Sequence, residues 1–216
     1  MEASTYMEEN IAILIADLAG YTALTETHGA AGAADIIDSY LDIVKSSLTG
    51  DSHLHEQTGD EVMIISTSAD ELLATAQNLI ETTSGKNNFL QVHGGLHYGP
   101  ILKRNNRFFG TTINLAARIA GKAKPGTIWC SEDYINALQY KAPLRFQSKG
   151  KHHFKNISEA NDVFELIPDN YTYFLVDPVC KMLITENEVA IRHPDEKNLF
   201  FCDQACLSIY QRNNAN

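Results

Sequence analysis

The chain has 216 residues, of which 44% are apolar and 20% charged, and its formal net charge is −10. This composition is that of a globular protein with one good core and room for a small appendage. The negative charge argues against nucleic acid as the main partner, because phosphate backbones are bound by stripes of lysine and arginine. Nucleotides are compatible with it, since they need only a few local cations and a metal.

Neither a membrane span nor a secretory signal is predicted, because no apolar run is long enough to cross a bilayer and the first ten residues are acidic. We therefore expect a cytoplasmic protein whose thiols are reduced. Of the four cysteines, Cys130 lies in an apolar stretch and is expected in the core. Cys180, Cys202 and Cys206 crowd near the C-terminus, which indicates a small unit with its own chemistry or metal.

The first predicted strand, I-A-I-L-I-A from Ile11, ends at a carboxylate, Asp17. A small-residue turn at Ala19-Gly20 follows, and apolar residues at every third or fourth position predict a helix over about 25–48. A carboxylate at the mouth of a strand, beside a glycine turn whose N–H groups can approach phosphate, is typical of a metal–triphosphate site.

The remaining elements complete an α+β pattern. They are predicted in this order: a hairpin turning at Gly59-Asp60, a helix at about 69–82, a strand at about 89–101 whose glycines indicate close backbone approach, a helix at about 111–123, a strand around Cys130, a helix at about 132–138, and extended segments at about 144–148 and 151–166. The β-α-β-β-α-β order predicts a ferredoxin-like fold, a mostly antiparallel sheet with helices on one face. Pro168-Asp169-Asn170 marks a boundary, so we expect one domain over 1–167 and a second unit over 168–216.

Asp17 and Asp60 are the first candidate site residues. In a ferredoxin-like sheet the first strand and the hairpin are neighbours, so the two carboxylates can converge on Mg²⁺. Taken singly, Asp60 is a good turn former and Asp17 a residue that caps a helix. The pair in this order favours a metal site.

Asn114 and Arg118 are four residues apart on a predicted helix and therefore share a face. An amide beside a guanidinium suits a ribose and a pentavalent phosphorus, where negative charge builds as bonds change. The same spacing is equally compatible with an ordinary solvated helix face.

Four separated motifs resemble those of class III nucleotidyl cyclases. The segment I-A-D-L-A-G-Y-T around Asp17 is similar to the family's metal-binding signature, in which an Asp precedes Gly-Phe-Thr. Residues 56–60 (E-Q-T-G-D) resemble its K/E-x-x-G-D hairpin, residues 110–118 its G-x-T-V-N-x-A-x-R helix, and Phe154-Lys155-Asn156 its L-K-G strand. Order and spacing agree over about residues 9–167.

The resemblance implies roles for these positions. Asp17 and Asp60, with Leu18 beside them, would hold two Mg²⁺ or Mn²⁺ ions that bridge the triphosphate and lower the pKa of the ribose 3′-hydroxyl. The backbone that cradles the phosphates would be that of Leu18, Ala19, Gly20, Tyr21 and Thr22.

The resemblance also implies that Asn114 orients the ribose, Arg118 stabilises the transition state and Lys155 binds the triphosphate. In homodimers of this family, the metal half and the Asn/Arg half of each site come from different subunits. A monomer is then expected to be inactive.

Two positions that read the base depart from the adenylate cyclase pattern. Glu56 stands where adenylate cyclases carry Lys, and guanylate cyclases use Glu there, because a carboxylate accepts from the N1–H and N2–H₂ edge of guanine. Arg107 stands at the partner position and can donate to guanine O6, or its bulk can shrink the pocket to fit uracil or cytosine. Glu56 and Arg107 can also pair with each other and leave the base unread. A purine, GTP or ATP, is favoured.

The C-terminal segment resembles a YHS domain over about residues 174–212. The family pattern D-P-V-C-G-M … Y-F-C-x-x-x-C is matched by residues 177–182 and 200–206, with Lys181 in place of the usual Gly. Three thiols can bind Zn²⁺ or Cu(I), with His193 or water as the fourth ligand. Alternatively, the cysteines are small buried hydrophobes that hold a mini-domain together. No role is assigned to the histidines of the predicted strands: His53, His55, His93, His97, His152 and His153.

We therefore expect a homodimeric cyclase that makes a 3′,5′-cyclic nucleotide, with the YHS unit as a regulator or dimer accessory. One alternative is a pyrimidine cyclase, using UTP or CTP, of the kind that serves bacterial antiphage signalling. The other is a degenerate domain that acts as a nucleotide-binding or metal-sensing module. No nucleic-acid partner is expected.

Overall fold

The structure is a computed structural model that describes residues 7–104, 107–140, 145–167, 174–185 and 190–214. Within these ranges, no helix combines the length and the hydrophobicity that crossing a bilayer requires. The predicted boundary at Pro168-Asp169-Asn170 lies outside the described residues.

Twelve strands and five helices are formed by the described residues. The strands are β1 (Met7–Ala19), β2 (His53–Thr58), β3 (Glu61–Ser66), β4 (Gln91–Arg104), β5 (Arg107–Phe109), β6 (Ile128–Ser131), β7 (Arg145–His152), β8 (Asn161–Ile167), β9 (Leu175–Val176), β10 (Leu183–Ile184), β11 (Ile191–Arg192) and β12 (Phe200–Phe201). The helices are α1 (Tyr21–Ser47), α2 (Ala69–Ser84), α3 (Thr111–Ala120), α4 (Glu132–Ala137) and α5 (Gln204–Asn214).

One large sheet runs in the order β2-β3-β1-β4-β6-β8-β7, with β5 paired to β4. All its pairs are antiparallel except β4 with β6. The order of its first four strands, with α1 and α2 as the connections, is the ferredoxin-like arrangement that the sequence predicts. The α+β fold is confirmed.

Both faces of β1 are buried, which explains its unbroken apolar sequence. Ala12, Leu14 and Ala16 face a core shared with α1 and α2. Ile11, Ile13 and Ile15 point to the opposite face, because side chains alternate along a strand, and there they pack with Ala116 and Ala120 of α3. The prediction that helices cover only one face was therefore wrong, since α3 covers the other.

Gly95 on β4 lets α3 approach the sheet closely. A Cβ at this position would overlap the backbone of Ala116 and Ala120. The close approach expected from the glycines of this strand is therefore present.

Replacing Gly95 with alanine is expected to lower the free energy of unfolding by about 3 kcal/mol, because backbone atoms cannot yield as a flexible side chain can. Chemical denaturation measures the change. Gly121→Ala is the control, because nothing lies nearer than 3.5 Å to a Cβ built there. Equal stability of the two variants would contradict this account of the packing.

Two boundaries differ from the sequence prediction. Helix α1 begins at Tyr21, directly after Gly20, rather than near residue 25, and it is broken at Gly29, whose φ is 76°. The stretch 153–160, predicted as extended, contains turns between β7 and β8. Phe154 explains the second difference, because the chain leaves the sheet where this side chain is buried against α3.

The C-terminal segment is packed onto the sheet domain. Leu183 N donates to Phe89 O (2.7 Å), and Asn88 N donates to Leu183 O (2.9 Å). Its buried side chains Cys180, Phe201 and Cys206 belong to the same hydrophobic core as β1 and α1. The two parts therefore share one core rather than touching only at their surfaces.

Candidate active site

Asp17 lies near the end of β1, directly opposite His93 of β4. Its Oδ2 lies 3.8 Å from His93 Nε2. Its Oδ1 is buried and has no hydrogen-bond partner among the described residues. A buried carboxylate oxygen without a donor is costly, and a cation bound there would remove that cost.

Asp60 occupies the turn between β2 and β3, as predicted. Burial, followed by the negative charge of Asp17, raises the pKa of Asp60 to about 6. The two carboxylates therefore act on each other electrostatically, and oxygen ligands of this kind are those that Mg²⁺ and Mn²⁺ prefer. The residues present fit a divalent metal site.

Tyr40 and His93 both interact with Asp17, and neither was among the residues predicted for the site. Tyr40 is fully buried on α1, its hydroxyl has no described partner, and burial together with the charges of Asp17 and Asp60 raises its pKa. His93 Nδ1 donates to Ala120 O at 3.0 Å, so the ring joins Asp17 to the end of α3. The only sequence signal for His93 was its place in the alternating pattern of a predicted strand.

The turn after Asp17 presents a helix N-terminus. Ala19 ends β1, and Gly20 precedes α1 with a φ of 93° and makes no side-chain cap. The first helical residues, Tyr21 and Thr22, therefore offer backbone N–H groups that no cap side chain occupies, and such groups bind anions. The side chain of Leu18 is buried, so only its backbone can serve the site.

Helix α3 carries Asn114 and Arg118 on its exposed face. The adjoining side, with Leu115 and Ile119, packs against Phe154. Lys155 is exposed in the turn that follows Phe154, so the structure brings its turn next to the helix of Asn114 and Arg118.

A cleft of about 800 Å³ lies between the β2–β3 hairpin and α3. Glu56 and Asn114, far apart in the chain, both line it, whereas Asp17 and Asp60 do not. The rings of His55 and Phe108 stack at 4.4 Å along its wall. Arg107 begins β5, but its side chain lies outside the described residues.

Cys180, Cys202 and Cys206 come together beneath α1, as their crowding in the sequence suggested. The expectation that His193 joins them was wrong. Its Nδ1 accepts from Glu196 N at 3.1 Å and its ring packs on Phe201 and Tyr210. The imidazole beside the thiols is that of His28, which α1 supplies. Cys130 is fully buried, as expected.

The sheet is ferredoxin-like, with Asp17 near the end of β1, Asp60 in the hairpin turn, and Asn114 and Arg118 on α3. This arrangement defines a class III nucleotidyl cyclase domain. The chain belongs to the family described as adenylate and guanylate cyclase catalytic domain, whose sequence profile matches residues 3–176. The match ends at residue 176, directly before the first motif of the YHS resemblance at residues 177–182.

The chain is similar to several curated proteins. An uncharacterised protein of Mycobacterium tuberculosis (strain ATCC 25618 / H37Rv) is 36% identical over 114 residues, which are 52% of this chain and 30% of that protein. A pH-sensitive adenylate cyclase of Mycobacterium tuberculosis is 27% identical over 128 residues, 59% of this chain and 32% of that protein. The chain thus spans about a third of the length of the curated relatives it matches.

Solved cyclase structures share the fold. The adenylyl cyclase CyaB from P. aeruginosa superposes with a TM-score of 0.66 at 16% identity, covering 77% of this chain and 97% of that one. The guanylate cyclase domain of RhGC from Catenaria anguillulae in complex with GTP gives a TM-score of 0.64 at 16% identity, covering 74% and 98%.

Proposed function

We propose that this chain converts a nucleoside triphosphate into a 3′,5′-cyclic nucleotide and pyrophosphate, as a homodimer. The observation that carries the proposal is the unpartnered, buried Oδ1 of Asp17, beside Asp60 and the open N-terminus of α1. Family membership supports the reaction class.

Each part of the site has a distinct task. Two Mg²⁺ or Mn²⁺ ions, held by Asp17, Asp60 and the backbone of Leu18, would supply the charge that makes the ribose 3′-hydroxyl acidic and neutralises the triphosphate. The backbone N–H groups of the turn and the first residues of α1 hold phosphate oxygens. Asn114 orients the ribose for in-line attack on the α-phosphorus, Arg118 stabilises the charge that builds there, and Lys155 holds the triphosphate.

A second copy of the chain completes the site. In one chain Asn114 faces the cleft with Glu56, whereas Asp17 and Asp60 lie outside it. A nucleotide whose base and ribose occupy the cleft of one subunit would therefore meet the carboxylates of the partner. This division makes activity depend on dimerisation.

Glu56 favours a purine, and guanine among purines. Its carboxylate is exposed and lines the cleft. Guanine offers two donors on the edge that a carboxylate accepts from, whereas adenine offers only one. The stacked His55 and Phe108 add an apolar wall against which a base can pack.

Incubation of the purified chain with ATP, GTP, UTP and CTP, each with Mn²⁺, tests the proposal when products are identified by chromatography and mass spectrometry. Cyclic GMP as the main product is expected, and Asp17→Asn is the negative control. A cyclic pyrimidine nucleotide would overturn the base assignment. Saturable nucleotide binding without any cyclic product would overturn the proposed cyclase activity and favour a nucleotide-binding module.

Metal affinity is expected to fall as the pH drops below about 6. In the folded protein the pKa of Asp60 is about 6 instead of the usual 3.8, and a protonated carboxyl is a poor ligand. Each pH unit below 6 should therefore weaken Mn²⁺ binding by up to about tenfold. Because folding raises the pKa of Asp60, the metal-free protein loses stability as the pH rises through 6.

Titration of Mn²⁺ at pH 5 and pH 7.5, followed by the thermal unfolding midpoint, measures this dependence. Asp60→Asn should remove most of it, because no proton then competes with the metal at that position. Equal Mn²⁺ affinity of the unaltered chain at the two pH values would contradict the prediction.

A further inference from the structure

Four potential metal ligands from two distant parts of the chain meet under α1. They are His28, Cys180, Cys202 and Cys206, and their ligand atoms all lie within 4.8 Å of one another. Cys202 Sγ lies 3.5 Å from Cys180 Sγ and 3.6 Å from Cys206 Sγ. His28 Nε2 lies 3.9 Å from Cys202 Sγ and 3.8 Å from Cys206 Sγ.

These four distances match those of a tetrahedral shell and are too long for a disulfide bond. Four ligands around Zn²⁺, with Zn–S of about 2.3 Å and Zn–N of about 2.0 Å, stand about 3.5–3.8 Å from one another. All three thiols are free. Cys180 and Cys206 are fully buried and His28 is 22% exposed, so the cluster lies in the interior with little access for solvent.

The backbone around the thiols is held by two aspartates. Buried Asp177 accepts from Val179 N and Cys202 N, both at 2.7 Å, and thereby ties the first cysteine turn to the second. Asp203 Oδ1 accepts from Cys206 N at 2.8 Å, while its Oδ2 lies 3.9 Å from His28 Nδ1. A carboxylate behind the second nitrogen of a histidine is a common way of orienting that ring toward a metal.

We propose that His28, Cys180, Cys202 and Cys206 form a closed tetrahedral centre for a thiophilic divalent cation of the Zn²⁺ type. Three thiolates and one imidazole are a complete set for structural zinc and leave no open position for catalysis. His28 is the ligand that α1 supplies, so the metal centre would act as a clamp between the C-terminal unit and α1.

The clamp acts on the turn that precedes α1. Seven residues separate Gly20 from His28, and the helix breaks at Gly29 directly after the ligand. Lys181, next to Cys180, packs so closely on Gly20 that a Cβ on the glycine would lie 2.5 Å from the Cβ of Lys181. Metal binding therefore holds residues 20–28 against the C-terminal unit at both ends. Any effect of this metal on catalysis rests on the proposed function, in which the turn before α1 binds phosphate.

Metal content of the purified full chain, measured by plasma mass spectrometry after growth with Zn²⁺ and removal of free metal, tests the centre. About one Zn²⁺ per chain is expected, falling to below about 0.1 in His28→Ala and returning in His28→Cys, which restores four ligands. His193→Ala and Cys130→Ser are matched controls and should keep the metal. Unaltered protein without zinc, or His28→Ala with a full equivalent, would overturn the proposal.

Co²⁺ substitution gives a second readout that does not depend on turnover. Unaltered protein should show thiolate-to-cobalt charge-transfer bands and intense tetrahedral d–d bands, and His28→Ala should lose the tetrahedral pattern. Unchanged cobalt spectra in the variant would show that His28 is not a ligand and would overturn the clamp.

Hydrogen exchange tests the coupling to the turn. Removal of zinc should speed exchange at least about tenfold in residues 20–28 and 177–183, since the local opening energy falls. Unchanged exchange in residues 20–28 would overturn the clamp. Loss of cyclisation with the metal and exchange results intact would refute only the proposed function, so the two failures are distinguishable.

Discussion

Replacing Asp17 with asparagine is expected to lower the rate of cyclisation by at least about 100-fold, because losing one metal-binding charge removes about 3 kcal/mol or more of transition-state stabilisation. The fold should survive. Asp17 Oδ1 has no hydrogen-bond partner to lose among the described residues, and removing the charge of Asp17 relieves the repulsion that, after burial, raises the pKa of Asp60. The metal-free variant should therefore be at least as stable as the unaltered chain.

Initial rates of product formation and chemical denaturation measure the two effects. Asp42→Asn removes a carboxylate that is 81% exposed, and it should leave both unchanged. Full activity of Asp17→Asn would contradict the metal role, and a large loss of stability would indicate that Asp17 is a structural cap instead.

Mixing two inactive variants tests the shared site in the same system. Asp17→Asn and Arg118→Ala damage opposite halves of the proposed site, so a mixed dimer has one intact site and one doubly damaged site. If subunits exchange freely, half of the dimers are mixed and the activity should return to about one quarter of the unaltered level. No recovery, with exchange shown by differently tagged subunits, would place both halves in one chain.

Replacing Glu56 with lysine is expected to shift the ratio of kcat/KM for GTP over ATP by at least about 100-fold toward ATP. The lysine cannot accept from guanine N1–H and N2–H₂, so two donors lose a charged acceptor, at about 1.5–3 kcal/mol for each hydrogen bond. The ammonium group can instead donate to adenine N1. The fold should tolerate the change, because Glu56 is exposed on β2.

Steady-state kinetics with both nucleotides measures this shift. Gln57→Lys introduces the same ammonium group one residue away, also at an exposed position, and it should leave the base preference within about twofold. An unchanged preference in Glu56→Lys would show that Glu56 does not read the base.

The sheet domain could be predicted well because its signals are local. Apolar runs, turn glycines and helical spacing occur within windows of a few residues. The β-α-β-β-α-β order, confirmed in the structure, follows from these windows. One exception is the start of α1, where Gly20 and Tyr21 carry no propensity signal strong enough to separate turn from helix.

The sequence by itself determined the family, the α+β fold and the candidate positions Asp17, Asp60, Asn114 and Arg118, because each lies in a short motif of fixed spacing. Only the tertiary structure decided which of these lie together, with Asn114 in the cleft of Glu56 and the two carboxylates outside it. It also decided that His28 rather than His193 joins the three thiols. The physical reason is that such contacts depend on how α1 and the C-terminal segment pack across more than 150 residues of chain, whereas hydrophobic periodicity carries information only about neighbours along the chain.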